Sequence, residues 1–141
     1  MNTNLLQPMI DIACASGGSI KFDIKAWDEN LHRALTGVTN VQTLDNFQFI
    51  GKMIDKRPEL PLLIASTLLI PGYIDEEEIH HIARFITSIN PSIPYTLLAF
   101  YPHFYMSDLP LTSKDMAYRC LHTATAEGLK NVKLGNIHLL A

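Results

Sequence analysis

The sequence predicts an α/β domain built on a mostly parallel sheet. Stretches of strand length alternate along the chain with segments of helical periodicity. Two of the strand-length stretches, Leu60 to Ile70 and Ile93 to Phe100, are apolar on both faces, as in strands buried between layers. The segments between strands are long enough to hold a crossover helix, the connection that parallel strands require.

The elements follow in order. Pro8 suits a first helical turn and Gly17-Gly18 a helix stop, so Met9, Ile10 and Ala13 mark a short amphipathic helix. Ser19 to Lys25 alternates apolar Ile20, Phe22 and Ile24 with charged Lys21, Asp23 and Lys25, which reads as a strand. Asp28 to Leu35 gives one or two helical turns ending at Gly37. A longer helix runs from about Thr43 to Lys56, with Leu44, Phe47, Ile50, Met53 and Ile54 on one stripe. After the strand Leu60 to Ile70 and the Pro71-Gly72 turn, Asp75 to Ile89 is the clearest helix. Its acids Asp75 to Glu78 stand at the N-terminus, where the helix dipole favours negative charge. Ile79, Ile82, Ala83, Ile86 and Ile89 form its buried stripe, which leaves His80 and His81 facing water. Beyond the strand Ile93 to Phe100 comes a loop, Tyr101 to Thr112, rich in Tyr, Phe, Pro and His. Ser113 caps a helix that ends at Gly128, and Val132 to Leu139 is a last strand.

A chain of 141 residues supports one domain with a real core, and no repeat or composition shift divides it, so residues 1–141 read as a single domain. With 48% hydrophobic and 18% charged residues it is globular. A net charge of -3 argues against nucleic acid or an anionic membrane surface as partner. No leader pattern precedes an apolar run, and the longest apolar stretch is too short to span a bilayer. Two distant cysteines, Cys14 and Cys120, lie on apolar helix faces and read as core residues of a reduced, cytoplasmic protein.

In α/β sheets, ligands bind at the C-terminal ends of the strands. Two such places stand out: the charged strand end Asp23–Lys25, and the aromatic loop with Tyr101 and His103. Charges at Asp23 and Lys25 either form a solvated strand face or line a polar pocket. In a pocket they must pair or meet a ligand. Together they would suit a zwitterion, Lys25 taking a carboxylate and Asp23 an ammonium group or a cation. His80, His81 and Glu77 are the nearest thing to metal-ligand spacing, but histidines facing water make a poor metal site, and none is assigned. No phosphate loop, serine nucleophile motif or paired-carboxylate motif occurs.

Several segments resemble, in order, the middle and end of radical S-adenosylmethionine (SAM) enzymes of the pyruvate formate-lyase activating type. "IKFDIKAWDENLHRALTGVTN" is similar to the family's Asp-x-Lys strand, helical turn and Gly-Val-Ser/Thr-Asn segment. "TLLIPGYIDEEEIHHIARFI" looks like its strand, Pro-Gly turn and acidic helix start. "PYTLLAFYPHFYMSDLPLT" is similar to its aromatic or His-Pro loop, and "AEGLKNVKLGNIHLL" to its closing Gly-Asn strand. The resemblance runs from about Met9 onward. It implies a partial, half (β/α) barrel with mostly parallel strands and helices on the outer face. It also implies SAM as cofactor, held in part by Asp23 and Lys25, with Tyr101 and His103 as further candidates. Tyr101 falls where many members have a His before Pro, and His103 falls where other residue types occur.

The family's Cys-x-x-x-Cys-x-x-Cys loop, which binds a [4Fe-4S] cluster used to generate a radical from SAM, has no counterpart in this sequence. The expectation is therefore a C-terminal portion of such an enzyme, inactive alone, with the cluster in an N-terminal half. Its partner would be that half, or a second copy in a homodimer. The alternatives are a non-catalytic module that completes another chain's barrel, or an unrelated α/β domain with a small-molecule pocket.

Overall fold

A computed structural model describes residues 3–54, 61–102 and 108–141. Its element order is α1 (Leu6–Ser16), β1 (Ile20–Asp23), α2 (Glu29–Thr36), α3 (Val41–Gly51), β2 (Leu63–Leu69), α4 (Glu76–Ile89), β3 (Tyr95–Ala99), α5 (Lys114–Ala126) and β4 (Val132–Gly135). A short 3-10 turn precedes α1 and another follows β4.

The four strands form one sheet in the order β1-β2-β3-β4, and every pair is parallel. Sequence neighbours are thus sheet neighbours, with a helix in each crossover, an arrangement consistent with a segment of a (β/α) barrel. β1 lies at an edge of this sheet.

Register decides which side chains share a face, because residues paired across parallel strands point the same way. Phe22, Ala65, Tyr95 and Val132 form one row, and Thr67, Leu97 and Leu134 the next. This face is packed under helices. Phe22 meets Phe47 of α3 edge-on at 5.6 Å, and α5 packs on β3 and β4. On the opposite face stand exposed Lys21 and Asp23 and half-buried Ile64, Leu68, Thr96 and Leu98. Leu97 and Leu98 lie on opposite faces of β3. Leu97 is fully buried and belongs to the helix-covered face, while half-buried Leu98 stands on the opposite one. The odd-even parity of a strand makes a one-residue difference a change of face.

Local sequence chemistry sets the helix ends. Asp28, Asp75 and Ser113 each accept a backbone N–H at the start of α2, α4 and α5. Gly37, at φ 81°, ends α2 with its N–H on the Arg33 carbonyl, a backbone state that glycine adopts without a Cβ clash. The last strand is shorter than expected. Asn136 turns left-handed at φ 54°, so Ile137–Leu139 leave the sheet as a 3-10 turn.

Two further expectations are corrected. Cys14 is exposed on α1, because that short helix buries only the Leu6, Ile10 and Ala13 stripe. Cys120 is in the core as expected, and burial, with the Glu76 and Asp75 carboxylates adding, pushes its thiol up to about 12. His80 and His81 are half-buried and not fully solvated. His80 pairs with Glu127 of α5 at 2.5 Å, and His81 stacks on Trp27 at 6.3 Å. No helix among the described residues is long and apolar enough to cross a membrane.

Candidate functional site

β1 runs out through Phe22-Asp23 into Ile24-Lys25, and burial along this stretch alternates as the sequence pattern requires. Phe22 and Ile24 are buried, while Asp23 and Lys25 are exposed. The Lys25 ammonium forms an ion pair with the Asp23 carboxylate, the two side chains being 44% and 45% exposed. At that exposure the pair contributes only about 0–1 kcal/mol, so little stability opposes its opening toward a ligand.

The pair does not stand alone on its face. Asp23, Ser66, Thr96 and Lys133 are register partners and form one polar row across all four strands. Ser66 is 1% exposed, and its Oγ has no hydrogen-bond partner among the described residues. A buried hydroxyl without a partner is costly, by about 1–3 kcal/mol, and ligand-facing positions are where such a cost is tolerated. Toward β4 the side chains of this face pack closely over Gly135. A Cβ there would lie 2.6 Å from Leu98 Cδ2 and 3.2 Å from Thr96 Cγ2.

The strand end is held from behind. Ile24 N–H donates to the Ser66 carbonyl at 2.8 Å, and Thr67 Oγ1 donates to the Ile24 carbonyl at 2.8 Å. Tyr95 OH donates to Thr67 Oγ1 at 2.7 Å, and burial holds that phenol well above its usual range, so it remains a donor. One turn further on, Asn40 Nδ2 donates to the Ala26 and Trp27 carbonyls at 3.2 and 2.7 Å. The buried Glu78 carboxylate accepts Trp27 N–H at 2.6 Å and Asp28 N–H at 3.3 Å.

The other sequence candidates fare differently. Tyr101 follows β3 at the same C-terminal end of the sheet, but β2 lies between β3 and β1, so it is two strand spacings, roughly 10 Å, from the Asp23 strand. It is 59% exposed. His103 lies outside the described residues. Among the described residues no group of three or more His, Cys, Asp or Glu side chains could hold a metal ion.

Sequence reasoning missed Ser66, Thr67, Asn40 and Glu78. Glu78 carried a readable signal: it precedes Ile79 and stands four residues before Ile82, which places it on the inward stripe of α4. The three hydroxyl and amide groups sit at strand and loop positions whose partners only the register reveals.

No family model matches the chain. An isethionate sulfite-lyase activating enzyme of Desulfovibrio desulfuricans is 32% identical over 122 residues, 82% of this chain and 36% of the relative. A protein of Methanocaldococcus jannaschii, assigned provisionally as a glycyl-radical enzyme activating enzyme, is 37% identical over 84 residues, 57% of this chain and 30% of the relative. The chain is a homologue of the glycyl-radical enzyme activating enzymes. These are radical SAM enzymes, so SAM and an iron–sulfur cluster are implied at the level of the family. The fold agrees: a crystallised domain of a pyruvate formate-lyase activating enzyme from Bacteroides vulgatus superposes with a TM-score of 0.71 at 21% identity, covering 96% of this chain and 75% of that one. The chain spans about a third of the length of the two activating-enzyme relatives.

Proposed function

We propose that this chain forms the SAM-holding, C-terminal part of a glycyl-radical enzyme activating enzyme. The observation that carries the reading is the Asp23–Lys25 pair, set where an edge strand ends, on the face that no helix among the described residues covers. Opened toward a ligand, the pair matches the methionyl end of SAM: Lys25 takes the carboxylate and Asp23 the ammonium group. The Ser66 hydroxyl beside Asp23, without a hydrogen-bond partner among the described residues, offers a further hydrogen bond to a polar ligand. Tyr101 and His103 are secondary candidates from the neighbouring loop.

The iron–sulfur cluster does not fit the residues present. Only two cysteines occur, one exposed on α1 and one buried in α5, where the thiol resists ionisation. Cluster chemistry therefore belongs to residues outside these 141, and these residues alone are inactive in this reading.

Titration calorimetry with SAM tests the site. Lys25→Ala is expected to weaken binding about 10–100-fold, the loss of one charge-assisted hydrogen bond. His80→Ala, on α4 and engaged with Glu127, is expected to leave binding unchanged. Equal losses in the two variants, or no binding by the unaltered chain, would overturn the assignment.

A second reading concerns assembly. β1 presents an unpaired edge, and the uncovered face carries half-buried Ile64, Leu68 and Leu98. Such a surface suits an N-terminal barrel half or, without it, a second copy of the chain. The alternative role, a non-catalytic subunit completing another chain's barrel, would use the same edge. Light scattering at low micromolar concentration is expected to give a dimer mass. A strict monomer counts against self-association.

A further inference from the structure

Lys25 is a long, half-exposed side chain two residues past the end of β1, a place where a chain would ordinarily fray. Yet the backbone on both sides of it is fixed by side chains that do not reach the open face. Upstream, the Ile24 carbonyl is held by Thr67, which Tyr95 orients in turn. Downstream, the loop 26–28 is gripped from two directions: Asn40 takes its carbonyls and Glu78 its N–H groups. Trp27 adds packing on the same helix, its ring 5.5 Å from Phe85 and stacked on His81. Glu78, His81 and Phe85 are spaced three and four apart, so α4 presents one continuous docking face to this loop.

A buried carboxylate is an expensive way to hold a loop, and it is retained here where it receives backbone N–H donors near the N-terminus of a helix. Resting on the ligand reading given above for Lys25, we infer that Glu78 is a positioning residue of that site, with Asn40 as its counterpart. It does not touch the ligand. It sets the path of residues 25–28 and so the point from which the Lys25 ammonium reaches out.

Glu78→Gln keeps the shape but removes the charge: one carboxylate oxygen accepts Trp27 N–H and both oxygens lie 3.3 Å from Asp28 N, so whichever way the amide turns, its N–H₂ faces a backbone donor. Two measurements on the full chain test the inference. The first needs no ligand. Amide hydrogen exchange is expected to quicken about tenfold at Lys25 to Asp28 in Glu78→Gln, with β2 and β3 unchanged. Unchanged exchange at Trp27 and Asp28, or a uniform rise throughout the sheet, would overturn the inference whatever the fate of the SAM reading.

The second is a double-mutant cycle on SAM affinity. Glu78→Gln is expected to cost about tenfold when Lys25 is present and close to nothing in the Lys25→Ala background. An equal cost in both backgrounds would show a purely structural role and defeat the proposal. Should the unaltered chain fail to bind SAM, the ligand reading falls and the exchange result still decides whether Glu78 governs Lys25. Asn40→Ala, which removes the two donors on the other side of the loop, is expected to reproduce both results and serves if Glu78→Gln does not fold.

Discussion

Phe47→Ala is expected to destabilise the fold by about 3–5 kcal/mol. Phe47 is fully buried on α3 and joins two parts of the structure. Its ring meets Phe22 of β1 edge-on at 5.6 Å and Phe85 of α4 at 5.8 Å. Removing it therefore empties a space bounded by the edge strand on one side and by the helix that carries Glu78 on the other. Aromatic pairs contribute about 0.5–1.5 kcal/mol each beyond simple burial, and two such pairs are lost together. Nearby Phe85 also packs against Trp27, so the damage should extend to the loop after β1. Urea denaturation followed by circular dichroism measures the loss. A change below about 1 kcal/mol would mean that the core refills the space and that Phe47 does not join β1 to α4.

A second large effect is expected from Thr112→Val. Thr112 is fully buried, and its hydroxyl makes two bonds at once. It accepts the Phe100 N–H at 2.7 Å and donates to the Leu69 carbonyl at 2.7 Å. A single side chain thus ties the C-terminal ends of β2 and β3 together just where the Tyr101 loop departs. Valine has the same shape and neither function, so a buried donor and a buried acceptor lose their partner. The expected cost is about 2–4 kcal/mol. Thr112→Ser keeps the hydroxyl and should lose about 1 kcal/mol or less, for one buried methyl. If valine and serine prove equally mild, the bridge is not what holds the strand ends.

The order and type of the elements could be read from the sequence because each depends on local chemistry. Helix α4 shows why: Asp75 as cap, acids in the first turn and the isoleucine stripe all point the same way, and the helix forms between Glu76 and Ile89. The alternation at β1 likewise placed Phe22 and Ile24 on one face, under the helices, and Asp23 and Lys25 on the other. Where the sequence misled, the deciding force was tertiary. Leu134 continues an apolar pattern toward Leu139, but Asn136 ends the strand through its backbone conformation. His80 and His81 lie off the apolar stripe, yet Glu127 and Trp27 arrive from other elements to half-cover them. Leu97 and Leu98 are equally apolar, so only register could say which faces the helices. For the site, the charged pair was legible because unlike charges two apart on a strand share a face. Its supports were not, since Thr67, Asn40 and Glu78 meet residues 24–28 across sequence separations of 13 to 51.

The strand order also bears on how the chain comes to be folded. Because each strand lies beside the one made just before it, no strand must wait for a distant partner or be inserted between two others. A growing chain can lay each new strand on an edge already in place, with its crossover helix covering the join. The loops closed at each step are then short, and their entropy cost is met in small instalments. At every stage of such growth the nascent sheet shows one free edge toward the ribosome, a directional vulnerability to mispairing that ends only when the next strand arrives.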